Sequence, residues 1–345
     1  MRPRASALAA AAAVPFLLIP VALAEPAAEW EGWYAELDVA LATPGNTNTP
    51  AQASGPSDTA QGGSSDLSND IDWIEWEDDP ILSGTIGYSW GQKGRLQVTY
   101  WRYDDSASSS GSNSDYPNSN WFTIGPAASW AYSFYYPMSW GFTQEIKAET
   151  IDLEYRRTLS GKGQGRVTWG LGARFATFEE NVSGSYVIPD LLIPGNDFSF
   201  PASRTIDSDG FGFTGSIGGS YDFLKSFGIG SDLRVGFLTA DVDMDQEIID
   251  LDGYYASPGV RHGESVTMED EVATTIDFQF DLIFHAGRYL DIDAGWFYTT
   301  WSELPEFNGS RGVFGTDDQA GLRIPGEERD RIHWSGPKVR FRFYF

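Results

Sequence analysis

Charged residues recur along this chain at every second position. "WYAELDVA" sets Glu36 and Asp38 two apart, "TIDLEYRR" sets out Asp152, Glu154 and Arg156, and "SDLRV" carries Asp232 and Arg234. Arg166 and Arg174 follow in "GRVTWGLGARF", Asp277 and Asp281 in "TIDFQFD", and Asp291 and Asp293 in "YLDIDAG". The chain ends in "KVRFRFYF", with Lys338, Arg340 and Arg342 on one parity and Val339, Phe341, Phe343 and Phe345 on the other. A spacing of two puts side chains on one face of an extended strand, so each segment is a line of charge backed by an apolar face. Charges of both signs in a confined interior imply either a paired network or a wet channel, because an isolated charge there is costly.

Other residue types are less telling. Asp241, Asp243 and Asp245, with Glu247 behind, open like an EF-hand loop but lack the glycine at the sixth place and the glutamate at the twelfth. On an extended strand end they form an acidic rim, either merely solvated or able to meet Ca²⁺ or Mg²⁺. His262 falls in a loop and His285 at a turn. There is no cysteine, which removes thiolate chemistry and Cys-based metal sites. No catalytic set, cofactor or metal site is assigned. A net charge of −26 disfavours nucleic acid as a partner.

The elements that hold these charges read as strands. Period-two alternation marks ten segments, roughly 30–42, 81–91, 94–104, 145–159, 165–178, 209–223, 227–240, 272–285, 288–301 and 332–345. Short turns at 91–94, 160–165, 224–228 and 285–288 alternate with long stretches at 43–80, 105–144, 179–208, 241–271 and 302–331. Aromatics make up 15% of residues, yet no later run is apolar enough for a membrane helix. This rhythm predicts an all-β, up-and-down antiparallel transmembrane barrel of about ten strands, with short periplasmic turns and long extracellular loops. A hairpin in the aromatic stretch "SNWFTIGPAASWAYSFYYPMSWGF" would make twelve. That stretch is expected to be ordered at the barrel mouth, and the Ser/Gly/Thr-rich 43–70 to be mobile. Residues 1–24, with Arg2, Arg4, an apolar run and Ala22-Leu23-Ala24, read as a cleaved secretory signal. That leaves 25–345 as one barrel domain.

The signal, the turn-and-loop rhythm and the terminal ladder from Val339 to Phe345 resemble the bacterial outer-membrane β-barrel superfamily. "TIDLEYRRTL…GLGARFATF" is similar to pore-forming outer-membrane proteins of the Legionella type. The resemblance implies an outer-membrane location, contact with lipid and lipopolysaccharide, and reading of the terminal strand by the barrel-assembly machinery with periplasmic chaperones. His333 and Ser335 have the spacing of the His-x-Ser pair of outer-membrane lipid hydrolases, but no following strand supplies a third group. The expected functions are a narrow porin-like channel for small solutes, a non-conducting structural or adhesive surface barrel, or, third, a lipid hydrolase. The oligomeric state is left open.

Overall fold

The computed structural model describes residues 30–45, 50–56, 70–91, 94–113, 121–124, 132–134, 138–162, 164–188, 197–249, 261–302 and 331–345. Ten strands close into one antiparallel barrel. They are β1 (Glu31–Gly45), β4 (Asp79–Trp90), β5 (Arg95–Asn113), β8 (Met138–Lys162), β9 (Gly165–Ile188), β10 (Phe198–Leu224), β11 (Phe227–Ile249), β12 (Arg261–His285), β13 (Leu290–Ser302) and β14 (Arg331–Tyr344). Each pairs with its chain neighbour, and β14 returns to β1 with Tyr34 opposite Tyr344 and Asp38 opposite Arg340. The terminal Phe345 N–H donates to the Trp33 carbonyl at 2.9 Å. Both edges are thereby removed, which lets an aromatic terminal strand sit in lipid. The seam keeps one register throughout but lacks pairing where Leu41 and Ala42 face Gly336 and Pro337; proline has no N–H to give a ladder.

The barrel therefore holds ten strands rather than twelve. Four short strands form a separate sheet in the order β3-β2-β6-β7: β2 (Pro50–Pro56), β3 (Asp70–Trp73), β6 (Trp121–Ile124) and β7 (Tyr132–Phe134). The two stretches expected to behave oppositely are joined here, since β2 of the Ser/Gly/Thr-rich stretch pairs with β6 of the aromatic one. The backbone of β2 can pair whatever its side chains are, and composition does not report that. The proposed signal, residues 1–24, lies outside the described residues.

Several strands outrun their expected ends by ten residues or more. β10 runs for 27 residues and β8 and β12 for 25. At ~3.3 Å per residue and a tilt near ~40°, 25 residues rise roughly 60 Å, about twice a hydrocarbon core. The reason is a reversal of polarity along each strand. On β8, Ile151, Leu153 and Tyr155 point out and are exposed, with Asp152 and Glu154 buried inside. Toward the loop end Phe142, Ile146 and Ala148 are buried inside, and Glu145, Lys147 and Glu149 point out. β9 and β11 do the same, from exposed Leu171 and Phe237 to buried Phe178, Val182, Val242 and Met244. The lower barrel is built for lipid, apolar outside and charged inside; the upper barrel is built for water. An apolar belt including Phe213 (75% exposed), Ile217, Leu233, Phe280 and Leu282 encircles the lower barrel.

Candidate functional site

The charged face of the lower barrel makes two clusters that bridge the lumen. In the first, Arg174 on β9 holds Asp152 on β8 through Nε (2.7 Å) and reaches three strands away to Asp277 on β12 (2.5 Å). Arg234 on β11 crosses back to Asp152 (2.7 Å) and Glu154 (2.9 Å) on β8. Arg156 joins Glu154 (2.8 Å) to Asp232 on β11. Gly170 and Gly218 make room for these arms: a Cβ at either would lie 2.5 Å from the Glu154 or Asp232 carboxylate.

The second cluster lines the seam. Arg340 donates to Asp38 (2.5 Å) and to Gln279 (2.9 Å), while Arg342 donates to Glu36 (2.7 Å) and approaches Asp293 (3.4 Å). Lys338 donates to Gln279 (2.6 Å) and pairs with Asp281 (3.1 Å). Tyr344 donates to Asp291 (2.8 Å). His285 ends β12 and is buried between Asp291 (2.8 Å) and Asp222 (3.3 Å), and Arg166 meets Asp222 at 3.5 Å. The sixteen lumen charges singled out in the sequence thus all fall into these two clusters. Parity puts the neutral groups that complete them, Gln97, Gln279, Thr275, Thr299 and Ser216, on the same face, but it does not say which charge each one meets. His262 lies on β12, not in a loop.

A cavity of about 720 Å³ threads between the clusters, from the turn-end residues Gly91, Gly94 and Leu159 up to Ile81, Trp101 and Trp301. It stops against a layer of rings that the sequence reading missed. Trp334 on β14 (0% exposed) lies 5.5 Å from Trp101 and 5.7 Å from Tyr103 on β5, and 5.8 Å from Trp301 on β13. Trp301 also meets Trp101 (6.4 Å) and Phe178 on β9 (6.3 Å). β5 and β13 stand four strands apart around the barrel, as do β9 and β13, so these rings meet from wall to wall. The signal was present in "YWRY", "TTW" and "IHW": aromatics on the inward parity at the loop end.

Outside, the acidic row is extended on β11. Asp241 faces Asp209 and Asp243 faces Asp207 on β10, an arrangement of like charges that is unfavourable by itself. Asp243 accepts from Thr267 (2.7 Å), and Asp241 accepts from the Asp270 N–H (3.1 Å). Among the described residues no group of three or more His, Asp or Glu has the geometry to hold a metal ion. His333 stacks on Tyr298, ring centres 5.6 Å apart, and Ser335 lies opposite the same Tyr298 and Thr43.

A closed up-and-down barrel with an apolar belt outside and paired charges within has the architecture of a transmembrane β-barrel, and lipid is where such a belt is satisfied. No family model matches the chain, and no curated protein matches it. Among solved structures it is similar to the outer membrane protease OmpT from Escherichia coli (9% identity, TM-score 0.47, 91% of this chain and 97% of that one). It is similar also to the outer membrane protein OprG from Pseudomonas aeruginosa (10%, 0.31, 92% and 99%) and to the toluene transporter TodX of Pseudomonas putida (9%, 0.27, 91% and 90%). At such identities the likeness extends to the barrel shape and no further.

Proposed function

We propose that this protein is a barrel with a closed lumen, a non-conducting structural or surface-presenting component of the outer membrane. One observation carries this reading: rings from β5, β9, β13 and β14 meet across the lumen directly above ion pairs that also span it. A hydrated solute would have to break through an apolar layer and an ionic one in succession. The ionic layer alone is a strong obstacle, because leaving one partner of a buried pair unpaired costs about 3–5 kcal/mol. The upper wall, polar outside and largely apolar inside around one buried Gln144–Glu180–Arg204 group, then serves to lift the loops clear of the lipopolysaccharide.

A second reading rests on the cavity itself. Some 720 Å³ lined by charge is a ready path for small solutes if the ring layer opens, and that is the gated form of a narrow channel. Planar-bilayer recording of the refolded protein separates the two. The closed reading expects no unit conductance in the native protein. Steady ohmic conductance would replace it with the channel. Trp101→Ala combined with Trp334→Ala should open a measurable current if the rings are the barrier.

A further inference from the structure

The cavity below the ring layer opens at the turn end. Deep in the lumen the inward side chains Asp152, Arg174 and Asp293 are buried, whereas Ser89, Thr158 and Ser220, on the same parity near the turns, keep solvent contact. Arg95, the first residue of β5, lines this mouth. It stands opposite Ser89 on β4 and Arg156 on β8. Two cations in direct cross-strand register are unfavourable unless each is compensated. Arg156 is compensated, by Glu154 and Asp232. Arg95 is not: its guanidinium lies over the Tyr34 ring, 5.9 Å from the centroid, and its Nε–H is buried without an acceptor. Glu36 lines the same cavity but is bonded to Arg342 (2.7 Å). Among the described inward arginines Arg95 alone has no carboxylate partner, since Arg166, Arg174, Arg234, Arg340 and Arg342 each have one.

We propose that Arg95 anchors a binding site for a small oxyanion, of the phosphate or carboxylate kind, that enters the lumen from the turn side. A guanidinium offers its N–H donors in a planar fork that matches such an anion. Ser89 adds a donor, because its hydroxyl accepts from the Gly91 N–H (3.2 Å) and keeps its own hydrogen. The charge around the mouth favours the approach of an anion. Each of the four short turns carries one basic residue and no acid, Lys93, Lys162, Lys225 and Arg288, in a chain of net charge −26. Arg157 is exposed at the rim, and Arg166 shares Asp222 with His285. Glu31 is an exposed acid at the same end. The outer wall toward the loops is the reverse, with Asp207, Asp209, Asp241 and Asp243 exposed. Such a gradient concentrates anions at the turn side. The site goes beyond the closed-lumen reading and does not depend on it, since a pocket entered and left by one mouth needs no passage.

The test is arginine modification by phenylglyoxal, mapped by mass spectrometry, on the full protein refolded into lipid. Arg95 should react, and saturating inorganic phosphate should slow that reaction at least about ten-fold. Arg288, exposed on a turn outside the cavity, should react equally with and without phosphate. Chloride at the same ionic strength should leave Arg95 unprotected, which separates recognition from screening. Equal modification of Arg95 with and without phosphate, none at all included, or protection by chloride as strong as by phosphate, would overturn the site. In titration calorimetry the native protein should bind phosphate saturably, and Arg95→Gln, shown to be folded by heat-modifiable migration, should bind it at least about ten-fold more weakly. Equal binding by the folded variant would also overturn the site. Planar-bilayer current addresses the closed lumen separately: conductance by protein whose Arg95 is still protected would remove that reading and keep the site, and no conductance with Arg95 unprotected would do the reverse.

Discussion

Arg174 is 2% exposed and bonded to two carboxylates and a hydroxyl on two different strands. Removing it leaves Asp152 and Asp277 facing each other's charge inside the barrel. Arg174→Ala is expected to destabilise the barrel by about 3–5 kcal/mol, read as a lower denaturant midpoint in lipid vesicles. Reversing Arg340 and Arg342 to Glu should have a comparable effect at the seam, since both then repel Glu36 and Asp38; an unchanged thermal transition would mean that these charges only sit in water. At this scale the sequence was informative up to a limit. Parity alone sorts Asp152, Arg174 and Arg340 inward, because a strand has two faces. It cannot say that Arg174 reaches Asp277, for that bond depends on barrel circumference and shear, which no single strand encodes.

Single strands explain why the upper barrel escaped notice. A search for apolar residues on one constant face loses the trail where the faces exchange, on β8 between Glu149 and Ile151. The alternation persists beyond that point, so the signal was there in opposite phase. Substitutions of one kind on one strand should then have unlike outcomes. Leu171→Lys, in the lipid belt of β9, is expected to cost about 2–4 kcal/mol. Glu179→Lys, on the same face eight residues on, should stay within about 0.5 kcal/mol. Val182→Asp, buried within the upper barrel, should again be severe. Folded yield by heat-modifiable gel migration ranks the three. The ring layer was hidden for the same reason, since Trp101, Trp301 and Trp334 all sit on the parity that lower down carries charge.

For the whole molecule, closure decides whether any of this forms. β14 is bonded to β1 and β13 along most of its length, and Phe345 (70% exposed) continues its lipid-facing row. Deleting the last three residues, or Phe345→Ser, should strongly reduce folded protein in the outer membrane; normal migration of the truncated chain on gels would argue against closure as the governing step. The number of barrel strands and their order followed from alternating turn and loop lengths. The separate four-stranded sheet did not, because its strands of three to seven residues are too short to show a period.

The reversal of faces also constrains the bilayer around the protein. On β9 the apolar outward row runs from Val167 to Phe175, and on β10 from Phe211 to Phe223; with the strands tilted this is a band roughly 20–30 Å tall. Above it stand Glu149, Glu179, Asp209 and Asp241, so the barrel cannot ride lower to satisfy a thicker membrane without drawing carboxylates into hydrocarbon. The protein is in effect a gauge of membrane thickness, matched to a thin leaflet pair and penalised by a thick one. Its thermal transition should be highest in short-chain lipid and fall as the acyl chains lengthen.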